Sequence, residues 1–129
     1  MRCKTAIAVD TIGNVYTAGW FGGTADFDPG AGTASLVSTG GDNAFISKLD
    51  ASGNYKWAKQ MGGTDSDRAY CIVVDGQGNV YTGGWFSLTA DFDPSAGAFN
   101  MTSSGMTAIY VSTLESLGTF NWASSFHGL

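Results

Sequence analysis

Two pairs of aspartates are the residues of this chain best placed to bind a ligand. The sequence Asp-Phe-Asp-Pro occurs at positions 26–29 and again at positions 91–94. Carboxylates at positions i and i+2 of an extended segment project to the same side, and Ca²⁺ takes six to eight oxygen ligands. Each pair alone supplies too few oxygens, so backbone carbonyls, water or a neighbouring segment would complete the shell. The pattern predicts four calcium ligands: Asp26, Asp28, Asp91 and Asp93.

A second acidic segment, residues 62–67, adds Asp65 and Asp67 as further candidate metal ligands. A structural role competes with metal binding for the loop aspartates. In that interpretation the carboxylates accept backbone N–H groups in turns, Phe27 and Phe92 pack into the core, and the prolines end the strands. The sequence leaves both interpretations open.

Catalytic chemistry fits the sequence poorly. A retaining glycosidase needs two carboxyl groups about 5–5.5 Å apart, but a pair that occurs in both halves of the chain is typical of a repeated structural unit. The single histidine, His127, lies close to the C-terminus, and no phosphate-binding glycine loop opens a helix. We expect a protein that is not an enzyme, with no catalytic residue and no cofactor other than Ca²⁺.

These aspartates are held by a sequence that repeats itself. Residues 6–64 and 71–129 align without a gap at an offset of 65, and 27 of the 59 aligned positions are identical. Such a period indicates stacked supersecondary units. The chain therefore divides into a first repeat at 6–64 and a second at 65–129.

Each repeat contains four segments of strand character. In the first repeat they are 6–10, 14–21, 43–50 and 54–60, and in the second 70–75, 79–86, 108–115 and 119–125. Tight turns with Asp and Gly join several of them. The long connections, 22–42 and 87–107, leave room for a small hairpin, which in the first repeat would pair residues 24–27 with 34–38. A repeated four-stranded antiparallel meander predicts two consecutive β-propeller blades without significant helix.

Several motifs recur in order and resemble the bacterial β-propeller repeat family SBBP. They are Asp-x-x-Gly-Asn-Val-Tyr-Thr-x-Gly, Asp-Phe-Asp-Pro-Gly, Phe-Ile-Ser-Lys-Leu-Asp-Ala-Ser-Gly-Asn and Trp-Ala-Lys-Gln-Met-Gly-Gly, over residues 6–129. The resemblance implies blades of a larger propeller, in large secreted or surface-attached bacterial proteins, without implying one activity. The second copy departs from the pattern at residues 115–119 and 124–127. We expect a looser turn at the first segment and a frayed strand at the second.

Strand order predicts which end of each blade carries function. The turns 10–14, 50–54 and 75–79 should share one end and serve the backbone. The long connections, with their aspartates, should lie at the opposite end, which is the candidate binding face. The four tryptophans should pack between blades, with sugar stacking as the alternative. Cys71, inside an apolar run, should be a buried small hydrophobe.

Composition narrows the partners. The net charge is −5 and no Lys/Arg cluster is present, so nucleic acid is disfavoured. No apolar run reaches the ~20 residues of a membrane span. Two functions remain: a non-catalytic scaffold of a secreted or cell-surface protein that presents acidic loops to a protein or glycan, or the propeller portion of an extracellular hydrolase or lyase. We also expect contacts with neighbouring blades of a longer chain or self-association.

Overall fold

The computed structural model describes residues 5–104 and 106–126, so Cys3 and His127 lie outside the described residues. These described residues form twelve strands and contain no helix. The strands are β1 Ala6–Val9, β2 Val15–Phe21, β3 Thr24–Asp26, β4 Ser35–Val37, β5 Asn43–Leu49, β6 Tyr55–Met61, β7 Asp67–Val74, β8 Val80–Phe86, β9 Thr89–Asp91, β10 Asn100–Thr102, β11 Ala108–Leu114 and β12 Phe120–Phe126.

The strands form two four-stranded antiparallel sheets and two short hairpins. Sheet 1 has the order β1-β2-β5-β6, and sheet 2 has the order β7-β8-β11-β12. The hairpins β3-β4 and β9-β10 lie in the long connections. The predicted all-β class with two consecutive four-stranded propeller blades is confirmed. No helix in the described part of the chain could cross a membrane.

Local chemistry sets the tight turns. In the turn at 50–54, the Asp50 carboxylate accepts the N–H groups of Ser52 and Asn54 at 2.9 Å each, and Gly53 adopts φ 85°. Those backbone hydrogen bonds hold the pKa of the Asp50 carboxyl below its usual range, with Asn54 contributing most. A positive φ costs glycine little because it has no Cβ. The turns at 10–14 and 75–79 use the same contacts.

The expected loosening of the turn at 115–119 is wrong. The Glu115 N–H donates to the Thr119 carbonyl at 2.8 Å and the Gly118 N–H donates to the Glu115 carbonyl at 2.8 Å, the same pattern as at 50–54. The backbone bonds and the positive φ of Gly118 close this turn without an Asp. Strand β12 also pairs with β11 as far as Phe126 opposite Ile109, so the expected fraying is not seen in the described residues.

The two sheets pack face to face at what we call the junction. The side chains of sheet 1 at the junction include Tyr16, Ala18, Ala44, Ile46, Trp57 and Met61, and those of sheet 2 include Ile72, Val80, Phe86, Tyr110 and Leu114. Contact across it is direct, since the Ser112 hydroxyl lies 3.5 Å from the Met61 sulfur. Burying a large apolar side chain contributes about 1.5–3 kcal/mol, so this contact is a main source of stability.

Alternation along the strands leaves one face of each sheet without a partner sheet, and the first hairpin covers only part of that face of sheet 1. The open face of sheet 1 carries Ile7 and Val9, and the open face of sheet 2 carries Cys71, Val73, Ile109, Trp122 and Phe126. The prediction that Cys71 is buried is wrong for this reason. Its neighbour Ile72 points into the junction, so Cys71 points to the open side.

Candidate functional site

The two small hairpins fold back over their own sheets. The Phe27 ring anchors the first hairpin, with centroid distances of 4.8 Å to Phe45 and 5.4 Å to Phe21. Phe92 does the same in the second repeat, 4.6 Å from Tyr110 and 5.2 Å from Phe86. These contacts hold the loop that follows each phenylalanine against the sheet, away from the end where the connection starts.

The first hairpin loop consequently reaches the tight-turn end of sheet 1. Residues 28–32 and residues 53–55 line one cavity. The prediction that the loop aspartates and the tight turns occupy opposite ends is therefore wrong for the tip of this loop. Strand order correctly predicts the end of the sheet at which the long connection begins. The packing of Phe27 determines the end that the tip of the connection reaches.

The aspartates of the first loop hold the loop together. One Asp26 oxygen accepts the N–H groups of Ala34 at 2.8 Å and Asp28 at 3.0 Å, and one Asp28 oxygen accepts the N–H of Gly30 at 2.8 Å. The hydrogen bond from Ala34, followed by that from Asp28, holds the pKa of the Asp26 carboxyl below its usual range. This is the turn chemistry that the structural interpretation predicts.

The second loop repeats this geometry. Asp91 accepts the N–H groups of Asp93 and Phe99 at 2.9 Å each, and Asp93 accepts the N–H and the hydroxyl of Ser95 at 2.9 and 2.6 Å. Asp91 and Asp93 also border a smaller cavity of about 200 Å³ with Thr39, Asn43, Gln60, Gly62, Pro94 and Ser95. Within the described residues, no group of three or more His, Cys, Asp or Glu is placed to hold a metal ion. Calcium binding by these four aspartates stays a prediction.

The two aspartates of the linker have different environments. Asp65 is exposed and accepts the N–H of Ser66 at 2.8 Å. Asp67 is the first residue of β7 and is 1% exposed. One of its oxygens accepts the N–H of Gly63 at 2.9 Å, while the other is buried and makes no hydrogen bond of good geometry. Burial raises the pKa of Asp67 to about 6, against the opposing effects of the backbone N–H groups of Gly63 and Ser87.

The cavity between the first hairpin and the turn at 50–54 is the best candidate ligand site. Its volume is about 450 Å³, within the range of small-molecule pockets. Three kinds of group line it: the half-buried Tyr55 ring, the Asn54 amide and the Asp28 carboxylate. Backbone of the Pro29–Gly32 segment and of Gly53 completes the wall. An aromatic surface beside a carboxylate and an amide can pack on one side of a ligand and hydrogen-bond its polar edge.

Comparison of the repeats explains why this cavity is open. In the second repeat, the Phe99 ring packs on Phe120 with a centroid distance of 5.2 Å. The equivalent residues of the first repeat are Ala34 and Tyr55. The backbone is the same, because Ala34 and Phe99 each donate to the loop aspartate and each accept from the loop phenylalanine. Ala34 lacks the ring that covers the aromatic residue in the second repeat.

The sequence interpretation missed Ala34, Asn54 and Tyr55. The signal lay in the alignment, where an alanine stands opposite a phenylalanine within a motif that is otherwise retained. The alignment alone does not mark a site, because the contact of Phe99 with Phe120 joins residues that are twenty-one positions apart in the chain.

The tryptophans have separate roles. Trp57 belongs to the junction. Trp20 and Trp85 lie on either side of Arg68, whose guanidinium carbon is 4.6 Å from the Trp20 ring centroid and 5.4 Å from that of Trp85. Arg68 also pairs with Asp42 at 2.9 Å. The contacts of Arg68 with Trp20 and with Asp42 join the two repeats, in line with the predicted packing role of the tryptophans. For Trp122 that prediction is wrong within this chain, since it is 43% exposed on the open face of sheet 2.

The comparison with known families agrees with this architecture. Residues 56–85 match the family model SBBP, a beta-propeller repeat. The matched segment runs from β6, the last strand of sheet 1, to β8, the second strand of sheet 2, and thus crosses the junction. This part of the chain is a beta-propeller repeat, as the motifs predict. No curated protein matches the chain.

Proposed function

We propose that this chain is a non-catalytic β-propeller repeat scaffold that binds a sugar ring of a glycan in the cavity lined by Asp28, Asn54 and Tyr55. One observation carries the proposal: the first repeat keeps the loop framework of the second but replaces the covering ring of Phe99 with Ala34, beside a cavity of about 450 Å³. The sheets supply a rigid support on which such a loop keeps its shape.

The chemistry of the cavity favours a sugar over an apolar ligand. A pyranose ring has an apolar face of C–H groups that can pack on the Tyr55 ring, and hydroxyl groups at its edge. The Asp28 carboxylate accepts hydrogen bonds. The Asn54 amide already donates one hydrogen bond to Asp50 at 3.3 Å, and its second N–H and its oxygen can serve a ligand. Asp28 is already fixed by the N–H of Gly30, so its orientation requires no ordering when the ligand binds.

The proposal gives the cavity no catalytic step. Among the described residues that line it, Asp28 is the only carboxylate, whereas glycoside hydrolysis by the usual route requires two. The second hypothesis, the propeller portion of an extracellular hydrolase or lyase, would take its catalytic residues from outside this chain. A secreted or cell-surface location is part of the proposal and is supported by the family resemblance.

A matched pair of variants tests the proposal. The probe is a panel of soluble monosaccharides and disaccharides, observed by saturation-transfer NMR against the whole chain. We expect Ala34→Phe, which introduces the ring present in the second repeat, to reduce saturation transfer at least tenfold while the melting temperature stays within a few degrees. Phe99→Ala is the control, because it removes the matching ring at the other site and should leave binding in the first repeat intact.

Two results would contradict this function. One is the absence of transfer to every saccharide of the panel. The other is binding that Ala34→Phe leaves unchanged, which would place the ligand elsewhere. Tyr55→Ala separates the contributions further, because it removes the aromatic surface and leaves the loop hydrogen bonds of Asp28 in place.

Calcium stabilisation of the same scaffold is a separate proposal. It would use the remaining oxygens of Asp26 and Asp28, or of Asp91 and Asp93, with further ligands to complete the shell. A calorimetric titration with Ca²⁺ and a thermal melt with chelator check it. Heat of binding with a higher melting temperature would support calcium, and neither heat nor a shift would remove it from the account.

A further inference from the structure

The same tryptophan is covered in one repeat and uncovered in the other. Trp57 is 9% exposed, and its indole N–H donates to the Ser116 carbonyl of the turn at 115–119 at 3.0 Å. The ammonium of Lys48 donates to the same carbonyl at 3.0 Å. Trp122, at the equivalent position of the second repeat, is 43% exposed. The contact of Trp57 with the turn at 115–119 therefore shows what kind of surface could cover Trp122.

The turn that covers Trp57 also occurs twice, at 115–119 and at 50–54. Within this chain no tryptophan lies against the described turn at 50–54. In the junction, a Cβ built on Gly118 would lie 3.2 Å from the Trp57 ring, so the glycine allows the indole to approach the turn. The equivalent Gly53 has nearly the same φ, 85° against 86°, and nothing lies within 4 Å of a Cβ built there. The chain thus contains one tryptophan–turn contact, between Trp57 and the turn at 115–119. It also contains the equivalent tryptophan, Trp122, and the equivalent turn, 50–54, which do not meet each other.

The strands beside these residues show the same difference. Ile72 of the junction is 8% exposed, whereas the equivalent Ile7 on the open face of sheet 1 is 66% exposed. On the open face of sheet 2, Ile109 and Phe126 are exposed at the positions where Ala44 and Met61 are buried in the junction. Apolar residues therefore occupy both open faces.

We propose that the open face of sheet 2 binds the open face of sheet 1 of a second copy of this chain and so rebuilds the junction between molecules. Trp122 would lie against Gly53 of the second copy, and its indole N–H would donate to the carbonyl of Ala51, the equivalent of Ser116. The open face of sheet 2 brings no lysine into the contact, because Thr113 and Ser124 stand there in place of Lys48 and Lys59.

The geometry makes this contact head-to-tail. Each copy uses two different surfaces, so the contact is heterologous and the copies close into a ring if the rotation between sheets allows it. Propellers close with about four to eight blades, which corresponds to two, three or four copies of a two-blade chain. Gly53 also lines the cavity around Tyr55, so the indole of the neighbouring copy would stand at the margin of that cavity.

Two charge-inserting variants test the contact. Ile109→Arg blocks the open face of sheet 2, and Ile7→Arg blocks the open face of sheet 1. Both residues are already exposed within the chain, so the fold should survive, which circular dichroism and thermal melts would verify. Native mass spectrometry and light scattering over a concentration series give the number of copies. We expect two to four copies of the 13.4 kDa chain for the unaltered sequence and a monomer for each variant alone.

Mixing the two variants is the decisive step. Ile7→Arg still presents an intact sheet 2 face and Ile109→Arg an intact sheet 1 face, so an equimolar mixture should form one-to-one dimers and nothing larger. Ile12→Arg is the control, because Ile12 is exposed in a turn whose equivalent residue, Gln77, stays exposed beside the junction. It should assemble like the unaltered chain.

Three results would overturn the proposal. A monomer at every concentration of the unaltered chain would mean that no second copy covers these faces. Assembly that persists in both single variants would place the contact on another surface. A dimer of Ile7→Arg alone, lost in Ile109→Arg, would show pairing of like faces instead of the head-to-tail contact.

Discussion

Trp57 and Trp122 occupy the same position of two similar repeats, yet the first is enclosed by a turn and the second stands open. The backbone around them is alike, since each lies in the last strand of a four-stranded sheet beside the third. What differs is the presence of a following turn with its carbonyl and its glycine. The contribution of a repeated residue to stability therefore depends on the surface against which it packs.

Ala34 and Phe99 show the reverse case, in which the surroundings are alike and the residue differs. The loop aspartate and loop phenylalanine bind both residues through the same hydrogen bonds. Tyr55 lines a cavity in the first repeat, whereas the ring of Phe120 packs on that of Phe99 in the second. The first comparison is the basis of the proposed partner surface, and the second is the basis of the proposed ligand site.

The tryptophans give the largest expected difference. Trp57→Ala should lower the free energy of unfolding by about 3–5 kcal/mol, because it leaves a cavity at the junction and removes the indole donor. Trp122→Ala should cost about 1 kcal/mol or less, since its ring is partly in solvent. Urea unfolding in the Ile7→Arg background, where assembly is blocked, checks both. An equal decrease in the free energy of unfolding for the two variants would contradict the conclusion that only Trp57 is enclosed.

The glycines that face these tryptophans give the next difference. Gly118→Ala should cost about 2–4 kcal/mol, because it adds a Cβ in a left-handed conformation, 2.8 Å from the Lys59 side chain and 3.2 Å from the Trp57 ring. Gly53→Ala should cost only about 1 kcal/mol, the cost of the left-handed conformation, because no atom lies within 4 Å of the added Cβ. The same unfolding measurement in the Ile7→Arg background compares them. A Gly53→Ala variant as unstable as Gly118→Ala would show that the turn, and not the indole, sets the cost.

The linker aspartates give a comparison between buried and exposed carboxyls. The folded pKa of Asp67, about 6, exceeds its ordinary value of 3.8, so the folded state binds the proton more tightly than the unfolded state. Its contribution to stability is fully present below about pH 4 and is lost as pH rises through 6, a change of about 2–3 kcal/mol. Asp67→Asn should remove this loss and be the more stable protein at pH 7.

Asp65 provides the control for that experiment, because it is exposed and should contribute little to stability. Unfolding free energies measured from pH 4 to pH 8 should keep most of their pH dependence in Asp65→Asn, because the Asp65 charge is the smallest of the causes that act on the pKa of Asp67. A slope that survives in Asp67→Asn would assign the pH dependence to a different group.

The smallest difference concerns the entry to the hairpins. Leu88 has φ 61°, and the equivalent residue of the first repeat is Gly23 with φ 72°. A leucine in this conformation is strained, so Leu88→Gly should stabilise the chain by about 1 kcal/mol. Gly23→Leu should destabilise it by a similar amount. Thermal melts of the two variants should therefore shift in opposite directions, and a shared direction would show that packing outweighs the backbone.

Local patterns account for the parts of the fold that the sequence predicts. The alternation around Tyr16, Ala18 and Trp20 gives strand β2 and its two faces, and the Asp and Gly of the turn at 50–54 form their contacts within five residues. The small hairpin at residues 24–26 and 35–37 is likewise confirmed. These features depend on neighbours in the sequence, so a single chain is enough to find them.

The turn at 115–119 is a local error, since its backbone closes without the expected Asp. The other errors concern contacts between distant residues. A short apolar run does not reveal which of Cys71 and Ile72 faces the core, since that depends on the register of β7 against β8. Strand β7 begins at Asp67 instead of residue 70, which buries a carboxylate that the sequence places in the linker. The fold-back of the first hairpin depends on Phe27 meeting Phe21 and Phe45. Each outcome is decided by tertiary packing.

The central claim, that one missing ring makes the first repeat a sugar-binding site, is tested most directly by exchanging the ring between the repeats. Amide chemical shifts are recorded for the unaltered chain and for Ala34→Phe/Phe99→Ala while a saccharide that binds is titrated. The account predicts shifts at Gly53, Asn54 and Tyr55 in the unaltered chain, and their loss in the double variant. Unchanged shifts at these three residues in the double variant would contradict it.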